Sequence, residues 1–132
     1  MKRSVVIVDD SQFLQGAIRD FFQQGQIGDY EVVAVGSNGA HAVELYRRHK
    51  PDLLTLDLTM PVKDGKTALT EIRQEFPDAR ILVISALSGP AVLECMKLGA
   101  KGYVEKPLLF DDEEFCKDFA QTLEEAFAVR PG

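Results

Sequence analysis

Short apolar runs alternate along this chain with longer stretches in which apolar residues return every third or fourth position. Ser4 to Val8 is a β-branched run that predicts a first strand, stopped by Asp9-Asp10-Ser11. Ser11 or Asp10 can cap the helix that follows, where Phe13, Leu14, Ala17, Ile18, Phe21 and Phe22 recur at helical spacing until Gly25, Gly28 and Asp29 break it. Glu31 to Val35 predicts a second strand, Gly36-Ser37-Asn38-Gly39 a turn, and Ala42, Val43, Leu45 and Tyr46 a second helix ending near His49.

Pro51 to Gly65 is the stretch around which the rest is organised. Leu53, Leu54 and Leu56 form a run too short for a helix, as expected of a third strand buried on both faces. Asp57 stands where that run ends, ahead of a loop turned by Pro61 and Gly65. Asp64 to Glu75 predicts a third helix, and Ile81-Leu82-Val83-Ile84 a fourth strand closing on Ser85-Ala86. Gly89-Pro90 opens a fourth helix with Val92, Leu93, Met96 and Leu98 as its inner residues, with Pro90 at the first helical position. Gly102-Tyr103-Val104 is a short fifth strand running into Lys106-Pro107. Asp111 to Ala128 is a last helix, acidic in its first turn, with Phe115, Phe119, Leu123 and Phe127 as its core stripe.

Strand and helix thus alternate five times with no hairpin signal between them, the pattern of an α/β parallel sheet covered by helices on both faces. At 132 residues a single domain over 1–132 is expected, with Arg130-Pro131-Gly132 a frayed end or the beginning of a linker. A net charge of -6 argues against nucleic acid and anionic membranes as partners. The apolar run near the start is cut short by Asp9 and Asp10, unlike a signal peptide, and no stretch approaches membrane-spanning length. Cys95 and Cys116 belong to no Cys-x-x-Cys pair, so a cytoplasmic location is expected. His41 and His49 lack ligand-type neighbours and read as surface or satisfied histidines.

Chemistry enters through position. Asp9 and Asp10 follow the first strand, Asp57 the third, Ser85 the fourth and Lys106 the fifth. A parallel sheet brings those ends to one edge, where open α/β sheets place ligands. Each residue alone has an ordinary reading: helix cap, turn residue or solvated lysine. Together they make a site in which crowded carboxylates call for a cation, and a few hard oxygen ligands select Mg²⁺. Asp57 then serves as a carboxylate nucleophile for a phosphoryl group, with Lys106 supplying positive charge and Ser85 a hydroxyl donor. No strong base stands beside a water, which favours a covalent intermediate that persists.

Val8-Asp9-Asp10, Asp57-Leu-Thr-Met-Pro61 with Asp64-Gly65 beyond, Ser85-Ala86 and Lys106-Pro107 resemble the receiver domains of two-component response regulators, over essentially the whole chain. Thr59-Met60-Pro61 and Tyr103 are similar to the stand-alone chemotaxis type. The resemblance implies a flavodoxin-like (βα)5 doubly wound sheet of order 2-1-3-4-5, the order known for flavodoxin and the chemotaxis regulator. It implies that Asp57 accepts a phosphoryl group from a sensor histidine kinase. Asp10, Asp57 and the Thr59 backbone carbonyl would bind Mg²⁺, with Asp9 acting through a water. Lys106, Ser85 and the Ala86 backbone N–H would contact the phosphoryl group, and the Lys106–Pro107 bond would be cis.

Ser85 and Tyr103 would then switch the face formed by the fourth helix, fifth strand and fifth helix toward a downstream effector, a motor or phosphatase component. The chain would be no enzyme beyond its own phosphoryl acceptance and autodephosphorylation, with Thr59 and Leu87 flanking the route of the attacking water. It would be a monomer, with dimerisation on phosphorylation left open. Leu108-Leu109 departs from the aromatic that often follows the Lys-Pro pair.

Other phosphate chemistries fit less well. A haloacid-dehalogenase-type phosphatase needs an aspartate where Thr59 stands, and a P-loop needs a glycine where Met60 stands. An FMN carrier would place phosphate against Asp9 and Asp10, and no Gly-x-Gly-x-x-Gly marks a dinucleotide site. The remaining rival is an interaction module that keeps the acidic pocket without being phosphorylated.

Overall fold

The computed structural model describes residues 2–128; Met1 and the Arg130-Pro131-Gly132 tail lie outside them. The elements are β1 (Arg3–Val8), α1 (Gln12–Gln23), β2 (Tyr30–Gly36), α2 (Gly39–His49), β3 (Leu53–Leu56), α3 (Gly65–Glu75), β4 (Ile81–Ser85), α4 (Pro90–Lys97), β5 (Gly102–Glu105) and α5 (Glu113–Phe127). All strand pairs are parallel and the order is β2-β1-β3-β4-β5, a flavodoxin-like doubly wound sheet.

Alternation along each strand splits the core in two. Val6, Val8, Leu54, Leu56, Ile81 and Val83 pack under α2 and α3, against Ala42, Tyr46, Leu69 and Ile72. Val5, Ile7, Leu53, Leu82, Ile84 and Val104 meet Ile18, Phe21 and Phe22 of α1 and Phe119 and Leu123 of α5. Phe115 and Phe127 pack against that second cluster as well, so the α5 stripe is apolar along its length. Each fully buried large side chain contributes about 1.5–3 kcal/mol.

Four helices start on a side-chain cap: Ser11 on α1, Asn38 on α2, Asp64 on α3 and Asp112 on α5. α4 has none, beginning at Gly89 with Pro90 behind it.

Two expectations about buried faces fail. Phe13 is 82% exposed. It lies nine residues before Phe22, so at about 100° per residue it points to the opposite side of α1, while Gln15, seven residues before Phe22, points inward. In α4 the buried residue is Cys95, and Leu93 and Met96 are 66% and 43% exposed. Cys95 shares its side of the helix with Ala91 and Leu98, which pack against the same core, and at about 100° per residue Leu93 and Met96 lie round on the outer side.

Candidate functional site

Hydrogen bonds just past the strand ends carry the ladders into the site. The Asp9 amide donates to the Gly36 carbonyl (3.1 Å), the Asp57 amide to the Val8 carbonyl (3.1 Å) and the Lys106 amide to the Ser85 carbonyl (2.9 Å). Asp9 and Asp57 therefore leave neighbouring strands side by side, and Lys106 arrives from the far edge. The loop after β3 folds back tightly: the Gly65 amide donates to the Leu58 carbonyl (2.9 Å), and a Cβ on Gly65 would lie 1.9 Å from the Asp57 carbonyl oxygen. Only glycine permits that approach.

One carboxylate oxygen from each of Asp9, Asp10 and Asp57 falls within 4.8 Å of the others. Asp9 and Asp57 are buried and Asp10 is exposed. The Lys106 Nζ reaches into this cluster, 2.9 Å from Asp9 Oδ2 and 3.2 Å from Asp57 Oδ2. Asp9 Oδ1 accepts from the Ser11 amide (2.9 Å) and Asp57 Oδ1 from the Leu58 amide (2.7 Å).

Burial pushes the Asp57 carboxyl above the ordinary range; Lys106 pulls it back and Asp9 adds to the rise. Burial alone would lower Lys106, but its hydrogen bond to Asp9 and the charges of Asp57 and Asp9 outweigh that, and its pKa is raised. Lys106 is therefore a fixed cation at neutral pH. The donor set suits a hard divalent cation: three carboxylates, oxygen only, with one ammonium that leaves the cluster anionic.

Ser85 closes β4 and is buried. Its hydroxyl accepts from the Leu87 amide at 3.2 Å, leaving its own proton to donate. The Tyr103 hydroxyl donates to the Leu87 carbonyl at 2.6 Å while its ring packs against the α2/α3 core. Burial raises the Tyr103 phenol, so it stays protonated as a donor. Leu87 thus links Ser85 and Tyr103. Thr59 and Ala86 are exposed on the loops after β3 and β4. The Lys106–Pro107 bond is cis. His41 and His49 are exposed, and His41 Nδ1 accepts from the Ser37 amide (3.1 Å).

Sequence patterning passed over Gln15. It is buried on α1, and its Nε2 donates to the Asp9 carbonyl at 2.6 Å, with the Gly36 carbonyl at 3.2 Å and Ser37 Oγ at 3.3 Å. The available signal was an amide on the side of the helix that carries Ile18 and Phe22.

Comparison with known proteins bears on this geometry. The family described as "Response regulator receiver domain" matches residues 5–120. The chain is 43% identical over 112 residues to the chemotaxis protein CheY of Bacillus subtilis, covering 84% of this chain and 91% of that protein. It is 41% identical over 108 residues to CheY of Thermotoga maritima, covering 81% and 88%. Among solved structures, the CheX-CheY-BeF3-Mg²⁺ complex from Borrelia burgdorferi superposes with a TM-score of 0.85 at 32% identity, over 96% of this chain and 90% of that one. The response regulator domain of Thermotoga maritima CheB also gives 0.85, at 28% identity, over 99% and 100%.

Proposed function

The chain belongs to the response regulator receiver domains, and on that premise we propose that Asp57 is the residue phosphorylated when this receiver is activated in two-component signalling. The observation that carries the assignment is the Lys106 ammonium held between two buried carboxylates, one of them Asp57.

In the reaction an Asp57 oxygen forms a bond to phosphorus while the P–N bond to a kinase histidine breaks. The imidazole leaves with the electron pair. Lys106 meets the negative charge on the phosphoryl oxygens, and the Ser85 hydroxyl and Ala86 N–H donate to them. Asp10, Asp57 and the Thr59 carbonyl would hold Mg²⁺, with Asp9 acting through a water. The ion offsets repulsion between carboxylate and phosphoryl group. Since Ser85 and Tyr103 both bond to Leu87, a Ser85 hydroxyl drawn to the phosphoryl group loses its Leu87 amide partner and disturbs the Tyr103 anchor. Each new charge-assisted bond is worth about 1.5–3 kcal/mol toward the switched state.

The face of α4, β5 and α5 is then the output surface. The phosphodonor is a sensor histidine kinase, and the receiver of the output is an effector, motor or phosphatase component. The single receiver unit acts in the cytoplasm as a monomer, and its only catalysis is on its own phosphoryl group. Among the described residues no helix is long and apolar enough to cross a membrane.

Incubation with Mg²⁺ and acetyl phosphate should add the mass of one phosphoryl group to the intact protein, and Asp57→Asn should abolish the gain. Equal labelling of wild type and variant, or none of either, would sink the assignment and leave the interaction-module reading.

A further inference from the structure

We infer that Gln15 is a positioning residue for the divalent-cation site, acting on Asp10 through the peptide plane that joins it to Asp9. Asp10 is exposed, and among the described residues its carboxylate makes no hydrogen bond. With no side-chain partner, the reach of that carboxylate into the cluster depends on where the backbone places its Cα–Cβ bond. The Asp9–Asp10 peptide is planar, so whatever fixes the Asp9 carbonyl also fixes where the Asp10 amide and Cα lie.

The Gln15 Nε2 holds that carbonyl at 2.6 Å, the shortest of its three contacts. The other two, to the Gly36 carbonyl and Ser37 Oγ, tie the same amide group to the end of β2. The Asp9 amide donates to the same Gly36 carbonyl. Both backbone polar groups of Asp9 are therefore anchored to one point, and Gln15 closes the triangle. A buried amide is costly without partners, whereas an apolar side chain would fill this slot on the Ile18 and Phe22 side without that cost. Packing alone does not call for glutamine there. Partners that orient metal ligands from behind typically carry about 10–100-fold in metal affinity.

The inference rests on the assignment of Asp10 and Asp57 as cation ligands, and the experiment separates the two. Mn²⁺ binding is measured by electron paramagnetic resonance of the free ion, with Mg²⁺ as competitor, alongside thermal unfolding in metal-free buffer. Gln15→Met keeps the bulk and removes the donor, and should weaken Mn²⁺ affinity about tenfold. Leu123→Ala, far from the loop, should lower the unfolding temperature and leave Mn²⁺ affinity unchanged. Should Gln15→Met not fold, Gln15→Asn, which keeps the amide one methylene short, carries the same expectation. Affinity within twofold of wild type, with or without a lower unfolding temperature, would reduce Gln15 to a structural residue and overturn the inference alone. A wild-type protein that binds no Mn²⁺, or an Asp10→Asn variant that binds as well as wild type, would overturn the cation site and the inference together.

Discussion

The α1/α5 layer and α4 lie against the same sheet, yet one is anchored through most of its length and the other through one buried side chain, Cys95, with the partly buried Ala91 and Leu98 beside it. In the α1/α5 layer Phe21 stacks on Phe110 at 4.3 Å and meets Phe119 edge-on at 4.9 Å, and Phe22 meets Tyr30 at 5.0 Å. Beyond them the Arg3 and Arg80 guanidinium groups cover the Phe127 ring at 3.8 and 4.3 Å. Asp112 caps α5 and Ser11 caps α1. α4 has no side-chain cap, buries Cys95, and is tied to α3 by an ion pair between half-exposed Lys66 and Glu94. Apolar packing is concentrated in the α1/α5 layer, and α4, the helix that follows the Ser85 loop, is held by fewer buried contacts and no cap.

The comparison breaks most visibly on truncation. Phe119→Ala should cost about 3–5 kcal/mol in denaturant unfolding. Leu93→Ala should change stability by no more than about 0.5 kcal/mol while weakening effector binding by the phosphorylated protein. A Leu93 variant as destabilised as the Phe119 one would show that α4 is anchored after all.

Between the two layers lies the carboxylate site. The folded-state pKa of Asp57 is raised by burial, so the native state is favoured while that carboxyl is protonated, and the benefit is lost as pH rises through the raised value. Asp57→Asn should therefore stabilise the metal-free protein at neutral pH, and the advantage should vanish below about pH 4, under the unfolded carboxyl value. Unfolding midpoints of both proteins across that range, with chelator present, check the sign.

Thr55 sharpens the contrast within the well-packed side. It is 1% exposed, pairs in register with Ile7 and Leu82, and its hydroxyl has no hydrogen-bond partner among the described residues. Thr55→Val should stabilise by about 1 kcal/mol in denaturant melts, because a buried hydroxyl without a partner keeps its full desolvation cost. The smallest effect is expected on the loose side. Glu94→Gln, which breaks the pair with Lys66, should cost at most about 0.5 kcal/mol. Its consequence should instead appear as faster amide exchange confined to α4.

Much of this was legible beforehand, for identifiable reasons. Asp9, Asp57, Ser85 and Lys106 each stand at the end of an apolar run, and the parallel pattern requires those ends to share an edge. The α5 stripe was legible because its spacing of four holds from Phe115 to Phe127. Phe13 was assigned by kind of residue when the angle around α1 should have decided, and it ended on the opposite side, while Gln15, which no pattern marked, ended inside. Leu93 and Met96 were misplaced for the same reason, since the angle around α4 sets them away from Ala91, Cys95 and Leu98, the residues that pack on the core.

By itself the sequence determined the alternation of five strands and five helices and the residue types at each strand end, because side-chain periods of 2 and 3.6 are local properties. Only the tertiary structure decided that the Lys106 ammonium bonds Asp9, 97 positions earlier, as well as Asp57, and that the Gln15 amide grips the peptide between two of the three carboxylates. Such contacts depend on strand order and on which side chains the two layers leave room for. Neither is written in any single segment.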